Sequence, residues 1–313
     1  MTNKNGFWRI TFDTNPNDCN LHCIMCEHHS AFSNVERSRT LANKPKERML
    51  IELIRRVLEE SQGSRLREII PSTMGEPLLF KDFEKMIELC KEFAIKLNLT
   101  TNGTFPIKGA IAWAKLIVPV TSDIKISWNG ATKSTQENIM SGSSFEQGLQ
   151  NIRDFIKIRN DYARTSQNYC QVTLQLTFME RNLRELVDIV KLGIELGVDR
   201  VKGHHLWTHF REIEQLSLRR SIESINCWNN EVLQAKKLAA EKLLPNGKNI
   251  ILVNFDVLNS NAAQNLSPQG VCHFLGEEAW IAPDGHFSPC CAPDVLRRQL
   301  GDCLLYTSDA ADE

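Results

Sequence analysis

Six short stretches of the chain, 8–13, 66–72, 96–101, 123–128, 171–178 and 200–204, read as β-strands, most of them with apolar side chains alternating against polar ones. Between them lie longer stretches, 47–60, 83–94, 109–117, 144–159 and 183–196, where apolar residues return near every 3.6 positions, the spacing of one helix face. Strand and helix in regular turn predict a parallel sheet built by right-handed crossovers.

Alternate residues of the strands separate two faces. One carries Arg9, Thr11 and Asp13; Asn98, Thr100 and Asn102; Lys125, Ser127 and Asn129; Thr173, Gln175 and Thr177; Lys202 and His204. The other carries Trp8, Ile10 and Phe12; Leu97 and Leu99; Ile124, Ile126 and Trp128; Val172, Leu174, Leu176 and Phe178. In an ordinary closed parallel barrel both faces are largely apolar. Here the apolar face must meet the helices, which makes the polar face a lumen that is wet or filled by polar ligands, because unpaired charges in a dry core are costly. The alternative is that Arg9, Asp13, Lys125 and Lys202 gather at a barrel floor and pair with one another.

At 313 residues and 42% hydrophobic content the chain can build one large α/β domain with a smaller appendage. Its 37 basic and 38 acidic residues favour neither nucleic acid nor an anionic membrane as partner. No apolar run approaches the roughly 20 residues of a membrane-spanning helix, and residues 1–6 are too polar for a secretory leader. The expected location is cytoplasmic.

The chemistry is written directly after the first strand, where Cys19, Cys23 and Cys26 stand as C-x3-C-x2-C. Three thiolates can hold three irons of a [4Fe-4S] cube and leave the fourth open to a ligand. The same cysteines with His22, His28 or His29 could instead form a zinc site. An odd trio of close thiols suits a reducing compartment better than a disulfide framework. The spacing resembles the cluster motif of the radical S-adenosylmethionine (radical SAM) superfamily, with Met25 where an aromatic residue often precedes the last cysteine. After the second strand, Met74-Gly75-Glu76-Pro77 resembles the Gly-Gly-Glu-Pro turn of that family, which meets the methionine ammonium group.

What the resemblance implies is an α/β fold, a partial (β/α)6 TIM-type barrel, with the cluster loop at its C-terminal rim. It implies a [4Fe-4S] cluster on Cys19, Cys23 and Cys26, and S-adenosylmethionine held by Gly75, Glu76, Ser127 and Asn129, with Thr100 and Asn102 behind them. Many relatives place an arginine beyond the fourth strand for the cofactor carboxylate; Met140 stands there, so Lys125 or Lys202 is expected to supply the countercharge. His204, at the end of the sixth strand, is a candidate acid, base or adenine contact. The implied activity is reductive cleavage of S-adenosylmethionine and hydrogen abstraction from a substrate, with a flavodoxin- or ferredoxin-like electron donor.

Residues 1–210 form the expected core. A long helix over 221–243 and a strand over 250–253 follow, then Cys272, Gly285 and Cys290 as C-x12-G-x4-C, with Cys291 beside them. This resembles the opening of a SPASM extension, which implies an auxiliary iron-sulfur cluster on Cys272, Cys290 and Cys291 within a small cysteine-bearing C-terminal extension over 211–302. Residues 303–313 resemble a translated sequencing adapter, which would leave the extension truncated and Cys303 without a site. Cys90, Cys170 and Cys227 read as core side chains. Resemblance to SPASM maturases makes a peptide or protein side chain the first candidate substrate, met without a leader-binding domain ahead of residue 7. A small polar metabolite is the alternative, and a non-catalytic metal-binding module a third reading.

Overall fold

A computed structural model describes residues 6–72, 74–166, 168–259 and 274–289. Cys272, Cys290, Cys291 and Cys303 lie outside the described residues. The six expected strands form as β1 (Arg9–Phe12), β2 (Glu68–Ile70), β3 (Lys96–Thr101), β4 (Thr121–Ser127), β5 (Gln171–Phe178) and β6 (Arg200–His205). Each pairs in parallel with the next. This is the mostly parallel α/β sheet of a partial TIM-type barrel.

The sheet is wider than its six central strands. β7 (Ile251–Val253) extends it beside β6, and β8 (Glu278–Ile281) lies parallel to β1, followed by the antiparallel β9 (Phe287–Ser288). The order is β7-β6-β5-β4-β3-β2-β1-β8-β9. Gly285, at φ +92°, sits in the turn of the β8–β9 hairpin, a conformation an L side chain rarely adopts.

Helices cover the apolar face. Between β1 and β2 run α1 (Val35–Leu41) and α2 (Ile51–Glu60); α3 (Phe83–Glu92) and α4 (Gly109–Ile117) follow β2 and β3. After β4 come α5 (Lys133–Ile139) and α6 (Phe145–Ala163), after β5 α7 (Leu186–Leu196), and after β6 α8 (Ile222–Glu241). Neither α1 nor α5 is visible in the sequence pattern. α1 buries no side chain at all, and α5 buries only Gln136 and Ile139, so neither carries a periodic apolar stripe. α5 is started by Thr132, whose hydroxyl accepts from the Thr135 N–H, and Glu185 accepts from the Ala131 and Thr132 N–H groups.

Cys90 and Cys170 are buried core residues, and Cys227 packs against the same core half-buried. One charged side chain is buried in the wall as well. Arg159 of α6 reaches Asp199, just before β6, and donates to the Cys170 and Gly197 carbonyls at 3.1 and 3.3 Å. Asp199 also accepts from the Val172 N–H at 2.8 Å and from the Tyr169 hydroxyl. Removing one partner leaves a buried carboxylate without its countercharge. Arg159→Met is therefore expected to cost about 3–5 kcal/mol, read as a lower denaturant midpoint at unchanged slope, and adding Asp199→Asn should recover part of the loss.

Candidate cluster and cofactor site

The cluster loop starts where β1 ends and is tied down on every side. Asn15 donates to the Glu76 carbonyl at 2.9 Å, and the Glu76 N–H donates to the Asp18 carbonyl at 2.7 Å. Gly75 lies between them at φ +76°, where a Cβ would meet Asn15 O at 2.3 Å and Asp18 O at 2.8 Å. Only glycine fits this contact. Asp18 binds Lys46 at 2.8 Å and Arg48 at 2.7 Å; burial pushes its carboxyl pKa upward, but these two cations hold it below the ordinary value. On the far side, His22 N–H donates to Ser141 O and Ile24 N–H to Ile139 O, at 2.8 and 3.0 Å.

Glu76 is the pin of this assembly. Only 1% exposed, its carboxylate accepts from the Asn102 N–H at 2.7 Å, the Thr101 hydroxyl at 2.8 Å and the Leu78 N–H at 3.2 Å. Burial raises its pKa to about 7, against those donors, which lower it. The carboxylate thus joins the end of β3 to the turn after β2, while the Glu76 main chain fastens that turn to the cluster loop, and neither Gly75 nor Glu76 lines the cavity described below.

The three thiols sit together in one loop, half-buried. Burial pushes Cys19 up to about 11 and raises Cys23 and Cys26, and the thiols raise one another: Cys19 feels Cys26, and Cys23 feels both. Such a trio is poorly suited to remain as free thiolates and well suited to a cationic metal centre that takes up their charge. Donors already face the sulfurs: Leu21 N–H to Cys19 at 3.5 Å, His29 N–H to Cys26 at 3.3 Å, and the Asn102 amide to Cys19 at 3.9 Å. Bonds of this kind orient ligands and tune an iron-sulfur centre. Leu21, Ile139, Met140, Met179 and Leu206 form an apolar cluster against Cys19, Cys23, Ile24 and Met25, separate from the main core. The residues fit a [4Fe-4S] cluster.

Of the histidines of the zinc alternative, His29 Nε2 lies 2.8 Å from the Pro16 carbonyl and His22 Nδ1 3.1 Å from the His29 carbonyl, so each bonds the backbone through one ring nitrogen. No three His, Cys, Asp or Glu side chains among the described residues gather as a single-ion site.

Beside the loop opens a cavity of about 380 Å³, lined by Met25 and by the polar faces of the strands, including Thr100, Lys125, Ser127, Asn129, Lys202 and His204. Asn129 is fixed from behind: its side-chain oxygen accepts from the Thr177 N–H at 2.8 Å and its N–H donates to Gln136 at 2.7 Å. Its amide nitrogen, without a partner among the described residues, remains for a ligand. Asn102 lies next to the cluster loop, donating to Asn20 at 2.9 Å. His204 is exposed to the lumen beside Gln175 and Thr177, at 3.2 and 3.5 Å; desolvation by the walls and the charge of Lys202 lower its pKa.

The deeper end of the lumen is a charge network. Arg9 bonds Glu68 and, from β8, Glu278; Arg200 bonds Asp123. Lys125 bonds Asn98 and lies 3.9 Å from Asp123, while burial, opposed by Asp123, lowers its pKa to about 8. Arg9 and Lys125 are thus largely paired, whereas Lys202 has no hydrogen bond or ion pair among the described residues. Asp13 lies under the Gly75 turn, its carboxylate 3.4 Å from the Met74 N–H. Met140 is buried against Gln136 and the apolar cluster and does not line the lumen. The sequence reading missed Glu68, Asp123, Arg200 and Glu278. Asp123 and Arg200 share strand and parity with Lys125 and Lys202 and could have been found that way; Glu68 lies on β2, whose faces were not separated, and Glu278 depends on the pairing of β8.

No helix among the described residues is long and apolar enough to cross a membrane, and no curated protein matches the chain in sequence. Solved structures match in fold. SuiB of Streptococcus suis bound to S-adenosylmethionine superposes with a TM-score of 0.63 at 14% identity, over 91% of this chain and 60% of that one. SuiB bound to precursor peptide SuiA gives 0.60 at 15% identity, over 93% and 60%. The protein anSMEcpe with bound AdoMet gives 0.60 at 19% identity, over 90% and 74%. The chain thus spans about 60% of the length of SuiB. The model of the radical SAM superfamily matches residues 16–192, more than half of the sequence. With that match laid over the three thiols after β1 and the glycine turn that holds them, this chain belongs to the radical SAM superfamily.

Proposed function

We propose that this radical SAM enzyme acts on a side chain of a peptide or protein, in the manner of a maturase. The observation that carries the reading is the size of the lumen. About 380 Å³ lies near the lower end of the 300–1,000 Å³ typical of small-molecule sites, and the cofactor claims part of it. What remains suits one side chain of a larger substrate whose main chain stays outside. Solved relatives in fold include SuiB bound to precursor peptide SuiA and anSMEcpe bound to a peptide. A small polar metabolite is the second reading, favoured by Lys202 on the cavity wall, whose side chain has no hydrogen bond or ion pair among the described residues.

When bound, the cluster and S-adenosylmethionine supply reductive cleavage to a 5′-deoxyadenosyl radical and hydrogen abstraction. The chain's own part is to hold and shield them. Cys19, Cys23 and Cys26 are the proposed iron ligands, and the Leu21–Met140 apolar cluster keeps water from them. Gly75 and Glu76 of the turn against the cluster loop, with Ser127 and Asn129 from β4 and its following turn, form the proposed cofactor cradle, supported by Thr100 and Asn102. Lys202, with Lys125 beneath it, is proposed to meet the cofactor carboxylate, and His204 to border the adenine or the substrate. A flavodoxin- or ferredoxin-like protein is the proposed electron donor, and Cys272, Cys290 and Cys291 are proposed ligands of an auxiliary cluster.

To test the function, reconstituted protein is incubated anaerobically with S-adenosylmethionine, dithionite and fractions of a cell extract, and 5′-deoxyadenosine is measured. A peptide-containing fraction should stimulate its formation, and protease treatment should remove the stimulation. Stimulation by the protease-resistant small-molecule fraction alone would favour the metabolite reading. Cys23→Ala should abolish product formation and the iron of the catalytic cluster.

Gly75→Ala should displace the cluster loop, because its methyl group would overlap two carbonyl oxygens. The expected result is low iron incorporation in a protein whose far-ultraviolet circular dichroism is unchanged.

Lys202→Met keeps the apolar stem and removes the charge, so affinity for S-adenosylmethionine should fall about tenfold, as for loss of a charged hydrogen bond. Affinity of the parent protein should also decline as the pH rises through about 8, where Lys125 loses its proton. Lys125→Met should flatten that decline. Equal affinity in both variants would place the carboxylate elsewhere.

A further inference from the structure

A second, larger concavity of about 870 Å³ flanks the cluster loop. None of its lining residues lines the lumen. One wall comes from the cluster loop and α1, the other from the segment after β6. Glu27 is 9% exposed and His28 7%, and among the described residues neither Glu27 Oε2 nor His28 Nδ1 has a hydrogen-bond partner, nor has Nε of the half-buried Arg39 on the same groove. Around them stand aromatic rings. Trp207, 58% exposed, stacks on His209 with centroids 6.2 Å apart and planes 14° from parallel, and Phe32 lies 6.2 Å from Phe210. Burial lowers the His209 pKa while the Glu27 carboxylate opposes it, so the two walls are electrostatically in touch.

A buried carboxylate oxygen left without a donor is costly, and its cost is removed by a ligand that brings both donors and positive charge. His28 Nδ1 is an acceptor when the ring is neutral with its proton on the other nitrogen. A guanidinium offers five donors in a planar fork, enough for both atoms at once, and its face suits an indole. Of the cations already on the groove, Arg39 spends its two terminal nitrogens on Glu36 at 2.7 Å and on the Lys44 carbonyl at 3.0 Å, with neither bonded to Glu27 or His28, its Nε has no partner among the described residues, and Lys44 stands exposed.

We propose that this groove is an exosite for a basic side chain, arginine above all, of the substrate peptide. Glu27 and His28 receive its guanidinium, and Trp207 covers it. The inference rests on the peptide reading above for the molecule that carries the cation. It places recognition beside the chemistry rather than within it, so the groove would select the peptide while the lumen admits the side chain to be modified.

Three fluorescein-labelled pentapeptides test it by anisotropy on the reconstituted holoenzyme: Gly-Gly-Arg-Gly-Gly, the same peptide with neutral, nearly isosteric citrulline, and the same with glutamate. The arginine peptide should bind about tenfold tighter than the citrulline peptide or better, the scale of a charged hydrogen bond. The glutamate peptide should bind no better than citrulline. Glu27→Gln should erase the arginine preference, and Trp207→Ala should weaken it. Equal binding of arginine and citrulline peptides to the parent protein overturns the inference, as does a preference that survives Glu27→Gln. Should Glu27→Gln fail to assemble its cluster, Trp207→Ala decides from the opposite wall, and an undiminished preference there overturns the proposal. Binding is read without turnover. A parent protein that prefers arginine but gains no 5′-deoxyadenosine from peptide fractions sinks the peptide-substrate reading; one that is stimulated by peptides yet ignores arginine sinks only the exosite.

Discussion

Everything at the catalytic end of this molecule depends on one close approach of main chain to main chain. Gly75 lies against the Asn15 and Asp18 carbonyls with no space for a Cβ, and the next residue's N–H bonds Asp18 O. That contact fastens the turn after β2 to the loop after β1. Glu76 then carries the connection to β3 through three hydrogen bonds. A chain of short polar contacts thereby positions the thiols relative to three consecutive strands. The cost of burying the carboxylate is visible in its raised pKa, and the donors of Thr101, Asn102 and Leu78 offset part of it.

The lumen follows from an opposing constraint. A parallel sheet wrapped by helices must bury its outer face, and Ile10, Phe12, Leu97, Leu99, Ile124 and Ile126 do so. Its inner face is free to be polar because water or ligand fills it, and where neither reaches, the charges neutralise one another. Arg9 with Glu68 and Glu278, and Arg200 with Asp123, close the floor in this way. The polar face thus lines a cavity, as expected, but the alternative is not met as stated: Arg9 and Lys125 find their partners in Glu68, Glu278 and Asp123 rather than in one another, Asp13 or Lys202. Lys202 lines the cavity where the network ends.

The apolar cluster around the thiols completes the environment. Leu21, Ile139, Met140 and Met179 belong to it rather than to the core beneath the sheet, so the metal end of the barrel has its own dry shell. Met140 shows why an aligned position is a weak guide to a role: its side chain turns into this shell and accepts a hydrogen bond from Gln136. On the other side of the same loop, Glu27 and His28 face a groove with aromatic walls. One loop of the chain thus presents thiols to a shielded interior and acceptors to an open surface.

Local pattern determined much of this protein. Period-two and period-3.6 repeats marked the six central strands and most helices, because each of those elements buries one face and exposes another. Cysteine spacing marked the cluster loop, because ligands so close in sequence need no long-range folding to meet. The helices α1 and α5 escaped notice because they bury almost nothing of their own, and their ends are held by other parts of the chain, as Glu185 holds the start of α5. The pairing of β8 with β1 joins Arg9 to Glu278 across most of the sequence, and the groove beside the cluster loop is assembled from segments near residues 28 and 208. Contacts of that range leave no periodic trace in either segment, since each side chain's partner is chosen by how the whole sheet closes and not by its neighbours along the chain.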